Sequence, residues 1–172
     1  MLITLDGITP RVDTSAYIQD TAQIVGDVQI GAQSSVWFHS VVRGDVFHIR
    51  IGARTNIQDN STIHVTSGLH ATIIGDDVTI GHAVTLHGCT IANGSLIGIG
   101  AVVLDRCEIG EESLIGAGAL LTPGMIVPPR SLVVGHPAKV QRQLRNAEIE
   151  HLHQSAANYV LNAARYKSQG IL

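Results

Sequence analysis

Aromatic residues are scarce. Trp, Phe and Tyr together make up 3% of the 172 residues, too few to build a core around large rings, so the interior must be aliphatic. Cysteine is limited to Cys89 and Cys107, which leaves room for one bridge at most. Charge is low and nearly balanced: 11 Lys and Arg against 14 Asp and Glu give a net charge of −3. With no basic run and no basic residues interleaved with aromatics, nucleic acid is not an expected partner. No apolar stretch is long enough to span a bilayer, so no membrane association is expected. The segment Met1-Leu2-Ile3-Thr4-Leu5-Asp6 lacks a basic stretch followed by an apolar one, so no secretory leader is expected. A cytoplasmic location suits free thiols.

What the chain does have is aliphatic residues at a step of six. They are Ile18, Ile24, Ile30, Val36 and Val42; Ile51, Ile57 and Ile63; Ile74, Ile80 and Leu86; then Ile97, Val103, Ile109, Ile115, Leu121, Val127 and Val133. Many are followed by glycine, as at Gly31, Gly52, Gly75, Gly81, Gly98, Gly110 and Gly116. A period of six is neither helical nor a plain strand alternation. It marks an all-β solenoid, a left-handed parallel β-helix of hexapeptide repeats. Each repeat supplies one short strand and one corner, three repeats close a coil, and the aliphatic residue points into a narrow prism that large rings would not fit. Coils stack about 4.8 Å apart, and glycine stands where a Cβ would crowd the backbone. A β-sandwich with evenly spaced strands is the competing architecture, but it does not hold a strict six-residue step over such a length.

This frame fixes where three histidines lie. Ile63 and Ile74 are eleven apart, so residues 65–70 should extrude a five-residue loop at a corner. With that loop set aside, Ile63 and Leu86 are one coil apart, and His64 stacks on His87. His82 follows Ile80, one repeat earlier, near another corner. A strand of five or six residues separates the two corners, so His82 lies about 15 Å away within one chain. It can join the other two only from a neighbouring chain, for instance around a three-fold axis, with closed cyclic symmetry. Three neutral histidines leave a coordination position open, the pattern of a catalytic zinc ion. The alternative is that these are ordinary core or surface histidines of a chain that has nine.

The segments Val42-Arg43-Gly44-Asp45, Asn56-Ile57-Gln58-Asp59-Asn60, Ile63-His64, Ile80-Gly81-His82 and Leu86-His87-Gly88-Cys89 together resemble the γ-class carbonic anhydrase family, over nearly the whole chain. The resemblance implies a homotrimer with zinc, or alternatively iron or cobalt, held by His64 and His87 of one chain and His82 of another. It implies reversible hydration of CO2 to bicarbonate by a hydroxide that the ion generates from water. It also implies an intersubunit ion pair of Arg43 and Asp45, where an ordinary surface pair is the alternative. Asn56 and Gln58 match residues that position or activate the water: Gln58 through its amide oxygen, Asn56 by holding Gln58. Without the resemblance, Asn56, Asp59 and Asn60 read as corner residues. One departure is plain. Well-known members carry a glutamate directly after the Arg-Gly-Asp segment and another in the loop past the first histidine. Here these places hold Val46 and the carboxylate-free loop Val65-Thr66-Ser67-Gly68-Leu69-His70, as in a short-loop branch. This puts fast proton release in doubt. His70 is of a type suited to shuttling protons, although a solvated loop residue is the plainer reading.

Past Val133-Val134-Gly135-His136-Pro137-Ala138 the repeat ends, which divides the chain into a β-helix domain, 1–138, and a helical segment, 139–172. Ile149, Leu152, Ala156, Tyr159, Val160, Ala163 and Tyr166 recur at mostly helical steps, with Asn146 as the expected N-cap and Glu148 and Glu150 in the first turn. A shorter helical stretch is expected over 139–144. Tyr159 and Asn162 read as packing residues of the long helix. Cys89 and Cys107 are eighteen apart, but the step shortens to five between Leu86 and Ile91, so they are expected one residue out of register and free. Two other functions fit the repeat: a hexapeptide acyltransferase or thioesterase-like enzyme with one histidine as general base, and a metal-binding trimer with an assembly role, inactive toward CO2.

Overall fold

The structure, a computed structural model, describes residues 1–171. It is a left-handed parallel β-helix of about seven turns followed by one helix. One face of the prism stacks the strands Tyr17–Ile18, Ser35–Val36, Asn56–Ile57, Thr79–Ile80, Leu96–Ile97, Leu114–Ile115 and Ser131–Gly135. A second face carries Thr62–His64, Thr85–His87, Val102–Val103 and Leu120–Leu121, and a third carries Thr72–Ile74, Thr90–Ile91, Glu108–Ile109 and Ile126–Val127. Near the N-terminus two long strands, Gln23–Ile30 and Val41–Ile51, run around the corner between the second and third faces.

The register follows the repeat. Ile97 pairs with Ile115 eighteen residues on, and Ile57 with Ile80 twenty-three residues on, the difference being the loop over 65–70. Thr66 and His70 close that loop with an antiparallel bridge. The aliphatic residues at the six-residue step form one continuous buried column, with Ile18 only partly buried at its N-terminal end. Glycine is required where coils touch: a Cβ at Gly98 would lie 2.6 Å from the Ala117 nitrogen of the next coil. Because each coil is supported only by its neighbours, Ile97→Ala, which empties a fully buried position, is expected to cost about 2–5 kcal/mol. A lowered denaturant midpoint at unchanged slope would register it.

Two features depart from the repeat. In Val41–Ile51 the pairing offset is 18 at Ile24↔Val42 but 21 at Ile30↔Ile51. Three extra residues are therefore accommodated between Gly44 and Ile49, in a bulge that carries Asp45. The second departure lies near Cys89. Gly88, at φ +56, takes the corner one residue sooner than Arg106 does in the next coil, and the Arg106 N–H bonds the Gly88 carbonyl. The shortening thus falls before Cys89, and the pairs Thr90↔Glu108 and Ile91↔Ile109 put Cys89 and Cys107 in register, not one residue apart as the spacing suggested. Both thiols are nonetheless free and buried, and burial pushes both pKa values up.

The C-terminal segment needs two corrections. Residues 139–144 do not form a helix: Ala138–Gln143 is a strand that pairs antiparallel with Ser131–Gly135. The last coil otherwise ends in a row of unpaired N–H and C=O groups, and the chain doubles back to satisfy them. The helix spans Asn146–Ser168, so Asn146 is its first residue and Arg145 the cap. Glu148 closes a capping box by accepting the Arg145 N–H at 2.8 Å. The helix runs back along the first face. Ile149 and Leu152 pack on Leu96, Leu114 and Leu132, and Tyr159, Ala163 and Tyr166 pack on Tyr17, Trp37 and Phe38. Five of the six aromatic residues thus lie outside the prism, in the seam between it and the helix, while the aliphatic residues fill its interior. No described helix is long and apolar enough to cross a membrane.

Candidate metal centre

His64 and His87 sit at the ends of the paired strands Thr62–His64 and Thr85–His87 and are direct register partners. His64 Nδ1 and His87 Nε2 lie 3.2 Å apart. Each ring is held from behind by a carboxylate: His64 Nε2 meets Asp45 Oδ1 at 2.9 Å, and His87 Nδ1 meets Asp105 Oδ1 at 3.1 Å. Asp45 is delivered by the bulge and is also bonded by Arg43 of its own strand. Asp105 also accepts from the Thr66 hydroxyl at 2.6 Å, which ties the extruded loop to the site. Burial opposes ionisation of Asp45, yet hydrogen bonds from His64 and Arg43 outweigh it and hold the pKa below the ordinary carboxylate value. Asp105 behaves alike, with Thr66 and His87 outweighing burial.

His82 lies elsewhere. It follows Thr79–Ile80 on the neighbouring face, half-exposed, with its Nδ1 2.8 Å from Asp59 Oδ2. Among the described residues no three His, Cys, Asp or Glu side chains form one metal-binding group. One chain thus presents a pair, His64 and His87, and separately a single histidine with its Nε2 edge free of Asp59.

The polar residues expected beside the site gather on the His82 side. Asn56 and Gln58 are buried, and the Gln58 N–H bonds the Ile80 carbonyl, one coil away. Gln58 Nε2 donates to Asn56 Oδ1 at 3.1 Å, and Asn56 Nδ2 donates to Thr79 Oγ1 at 3.0 Å. Asn60 takes the corner at φ +60. Tyr159 packs edge-on against Trp37, with ring centroids 5.5 Å apart. With Asn162, Phe38 and Arg165 it lines a cavity of about 180 Å3 bordered by Asp59, so both helix residues approach the carboxylate behind His82. Burial and the Asp59 charge raise the Tyr159 pKa. His70 lies at the base of the loop, partly exposed, and Val46 is exposed while its carbonyl accepts the Gly68 N–H.

Sequence comparison decides the family. Residues 88–123 match the bacterial transferase hexapeptide (six repeats) model. Over 168 residues the chain is 45% identical to a carbonic anhydrase of Geobacillus kaustophilus, covering 98% of this chain and 92% of that one. It is 43% identical to Gamma carbonic anhydrase 1, mitochondrial, of Arabidopsis thaliana, covering 87% of this chain and 56% of the plant protein. The chain belongs to the γ-class carbonic anhydrase family. A solved structure from Bacillus cereus, described as a putative acetyltransferase, is also close: 42% identity, TM-score 0.95, covering 98% of this chain and 97% of that one.

In this member of the family the carboxylates behind the histidines are residues that the sequence pattern did not single out as histidine partners. Asp105 lies eighteen residues past His87, where the coil is seventeen; Asp59 lies twenty-three before His82, one coil plus the loop. The coil arithmetic that stacked His64 on His87 would have found Asp59, but not Asp105, since Leu86 pairs with Val103 and the step at His87 is seventeen. A carboxylate that fixes a ligand's tautomer and orientation typically contributes about 10–100-fold in metal affinity. Were His64 and His87 to hold a metal ion, Asp105→Asn would weaken its binding by roughly that factor, and competition with a chromogenic chelator measures it. Wild-type affinity in the variant would remove Asp105 from the centre.

Proposed function

We propose that the chain forms a homotrimer in which His64 and His87 of one protomer and His82 of the next hold one divalent ion, zinc or alternatively iron or cobalt, and that these interfaces hydrate CO2 reversibly to bicarbonate. The observation that carries the reading is the His64–His87 pair. Two nitrogens on one zinc, each at about 2.0–2.1 Å and at a tetrahedral angle, stand about 3.3 Å apart, and the observed separation is 3.2 Å. The donor chemistry agrees, because a carboxylate faces the far nitrogen of each ring and holds the ring in one tautomer. His82, with Asp59 behind it, has the same design and lacks only neighbours. Its place one corner away supports completion by a second chain.

When bound, such an ion lowers the pKa of a coordinated water to about 7 and so supplies hydroxide at neutral pH. The chain's own residues then orient the reaction. Gln58 has its Nε2 committed to Asn56, which leaves Oε1 to accept a hydrogen bond from the attacking water and aim its lone pair at the CO2 carbon. Asp45, Asp59 and Asp105 hold the three rings. Carriage of the proton to solvent falls to His70 or to buffer, since position 46 is valine and the loop has no carboxylate.

Stopped-flow CO2 hydration by metal-replete protein, with His87→Ala as the blank, tests this reading. The B. cereus relative favours a second one, transfer from an acyl-CoA. That chemistry needs one histidine base and gives the His64–His87 pair no task; acyl-CoA turnover without CO2 hydration would favour it.

A further inference from the structure

The amide chain beside the site does not end at Asn56. Thr79 Oγ1 accepts from Asn56 Nδ2 at 3.0 Å and stands 3.4 Å from Ser155 Oγ of the C-terminal helix, to which it donates. Thr79 and Asn56 are buried and register-paired on adjacent coils. The same Asn56 nitrogen also faces the Val78 carbonyl at 3.4 Å.

Donor and acceptor accounting gives this chain a direction. A carboxamide has one end that only donates and one that only accepts, and a hydroxyl has a single hydrogen to give. The Val78 carbonyl only accepts, and beside the Asn56 backbone N–H at 2.9 Å it has a second lone pair for Nδ2, so it favours the same end of the amide. Thr79 is the closer partner. A hydroxyl free to turn would serve either end of the Asn56 amide. With its hydrogen directed to Ser155, it serves only as acceptor and holds Nδ2 toward itself. Asn56 Oδ1 then faces Gln58 and accepts Nε2. Reversed at Asn56, the chain would reverse at Gln58 and present Nε2 to the attacking water. It would then occupy the lone pair that must reach carbon.

We propose that Thr79, oriented from the helix by Ser155, is a positioning residue that, together with the Val78 carbonyl, sets the polarity of the Asn56–Gln58 amide pair, and through it the acceptor that orients the nucleophile. This rests on the CO2-hydration reading above. It also gives the helix a task besides packing: its docking biases the direction of the hydrogen-bond chain.

Selective 15N labelling of Asn and Gln side chains in the full-length, metal-loaded protein reads the chain without turnover. In the wild type, the Asn56 and Gln58 amide protons should exchange slowly with water. Thr79→Val keeps the shape and removes the hydroxyl. It should speed Asn56 amide exchange and lower kcat/KM for CO2, each by about 10-fold or more, as loss of an outer-shell partner does, at unchanged metal content. Thr79→Ser should restore both. Wild-type amide exchange in Thr79→Val would overturn the proposal, as would equal losses in the Val and Ser variants, which would mean that packing of the methyl group was at work. Should Thr79→Val fail to assemble, Ser155→Ala on the partly exposed helix face carries the test, with faster Asn56 exchange expected and unchanged exchange overturning the proposal. A wild type with no CO2 hydration would sink the assigned reaction alone, because the amide signals still decide the polarity chain.

Discussion

His87→Ala should abolish CO2 hydration while the trimer stays folded. The alanine removes one of the two nitrogens at the 3.2 Å pair and leaves Asp105 without its ring partner. Loss of an outer-shell partner typically costs about 10–100-fold; loss of a ligand should exceed that and bring the rate to the background of metal-free buffer. The substitution lies at the end of a strand on a partly exposed side chain, not in the aliphatic column, so thermal unfolding should move little beyond the share that bound metal contributes by mass action. The wild-type rate should also rise with the concentration of an imidazole buffer. Val46 and the loop over 65–70 offer no carboxylate, and an external base then relieves slow proton release. A metal-replete wild type no faster than His87→Ala, at any buffer concentration, would rule out CO2 as the substrate and leave acyl transfer or assembly.

How much of this was legible beforehand depended on how far the period of six reached. Where the step holds, the sequence predicts the prism, the stacking of His64 on His87 and the extrusion of residues 65–70, because inward-facing aliphatics can take no other register. Where the step changes, the sequence does not say on which side of a corner the change falls. Cys89 shows this: the missing residue lies before Gly88, which only the pairing Thr90↔Glu108 reveals. The bulge that delivers Asp45 was hidden likewise, since the nine-residue step from Val42 to Ile51 carries no mark of where the extra three sit. Beyond the repeat, local propensity misled. Residues 139–144 are polar and helix-compatible, but the exposed edge of the last coil captures them as a strand, a tertiary demand that outweighs weak propensity. Asp105 was hidden by the same shortened step, which sets Leu104 rather than Asp105 against His87, whereas Asp59 was legible and overlooked. Asp59 was weighed only as a corner residue, although one coil of arithmetic sets it against His82.

Mixing two inactive variants should restore activity, and the amount is fixed by symmetry. His64→Ala keeps His82, and His82→Ala keeps the pair His64 and His87; each homotrimer lacks a complete set at every interface. In a ring of three with head-to-tail contacts, a mixed trimer of either composition contains a single interface at which a His82→Ala protomer offers its pair to the His82 of a His64→Ala neighbour. Random assembly at equal amounts makes about three-quarters of the trimers mixed, so about one-quarter of all sites are complete, and activity should recover to about one-quarter of wild type. Refolding the two variants together, with distinguishable tags to isolate mixed trimers, and then assaying CO2 hydration and bound metal per trimer measures this. Recovery should vanish when His64→Ala is mixed with His87→Ala, because both changes fall on the same half-site and no arrangement of protomers completes it. Absence of recovery in purified mixed trimers of the first kind would mean that His82 is not a ligand. Its bond to Asp59 would then belong to the corner alone, and the pair His64 and His87 would need its third donor from elsewhere.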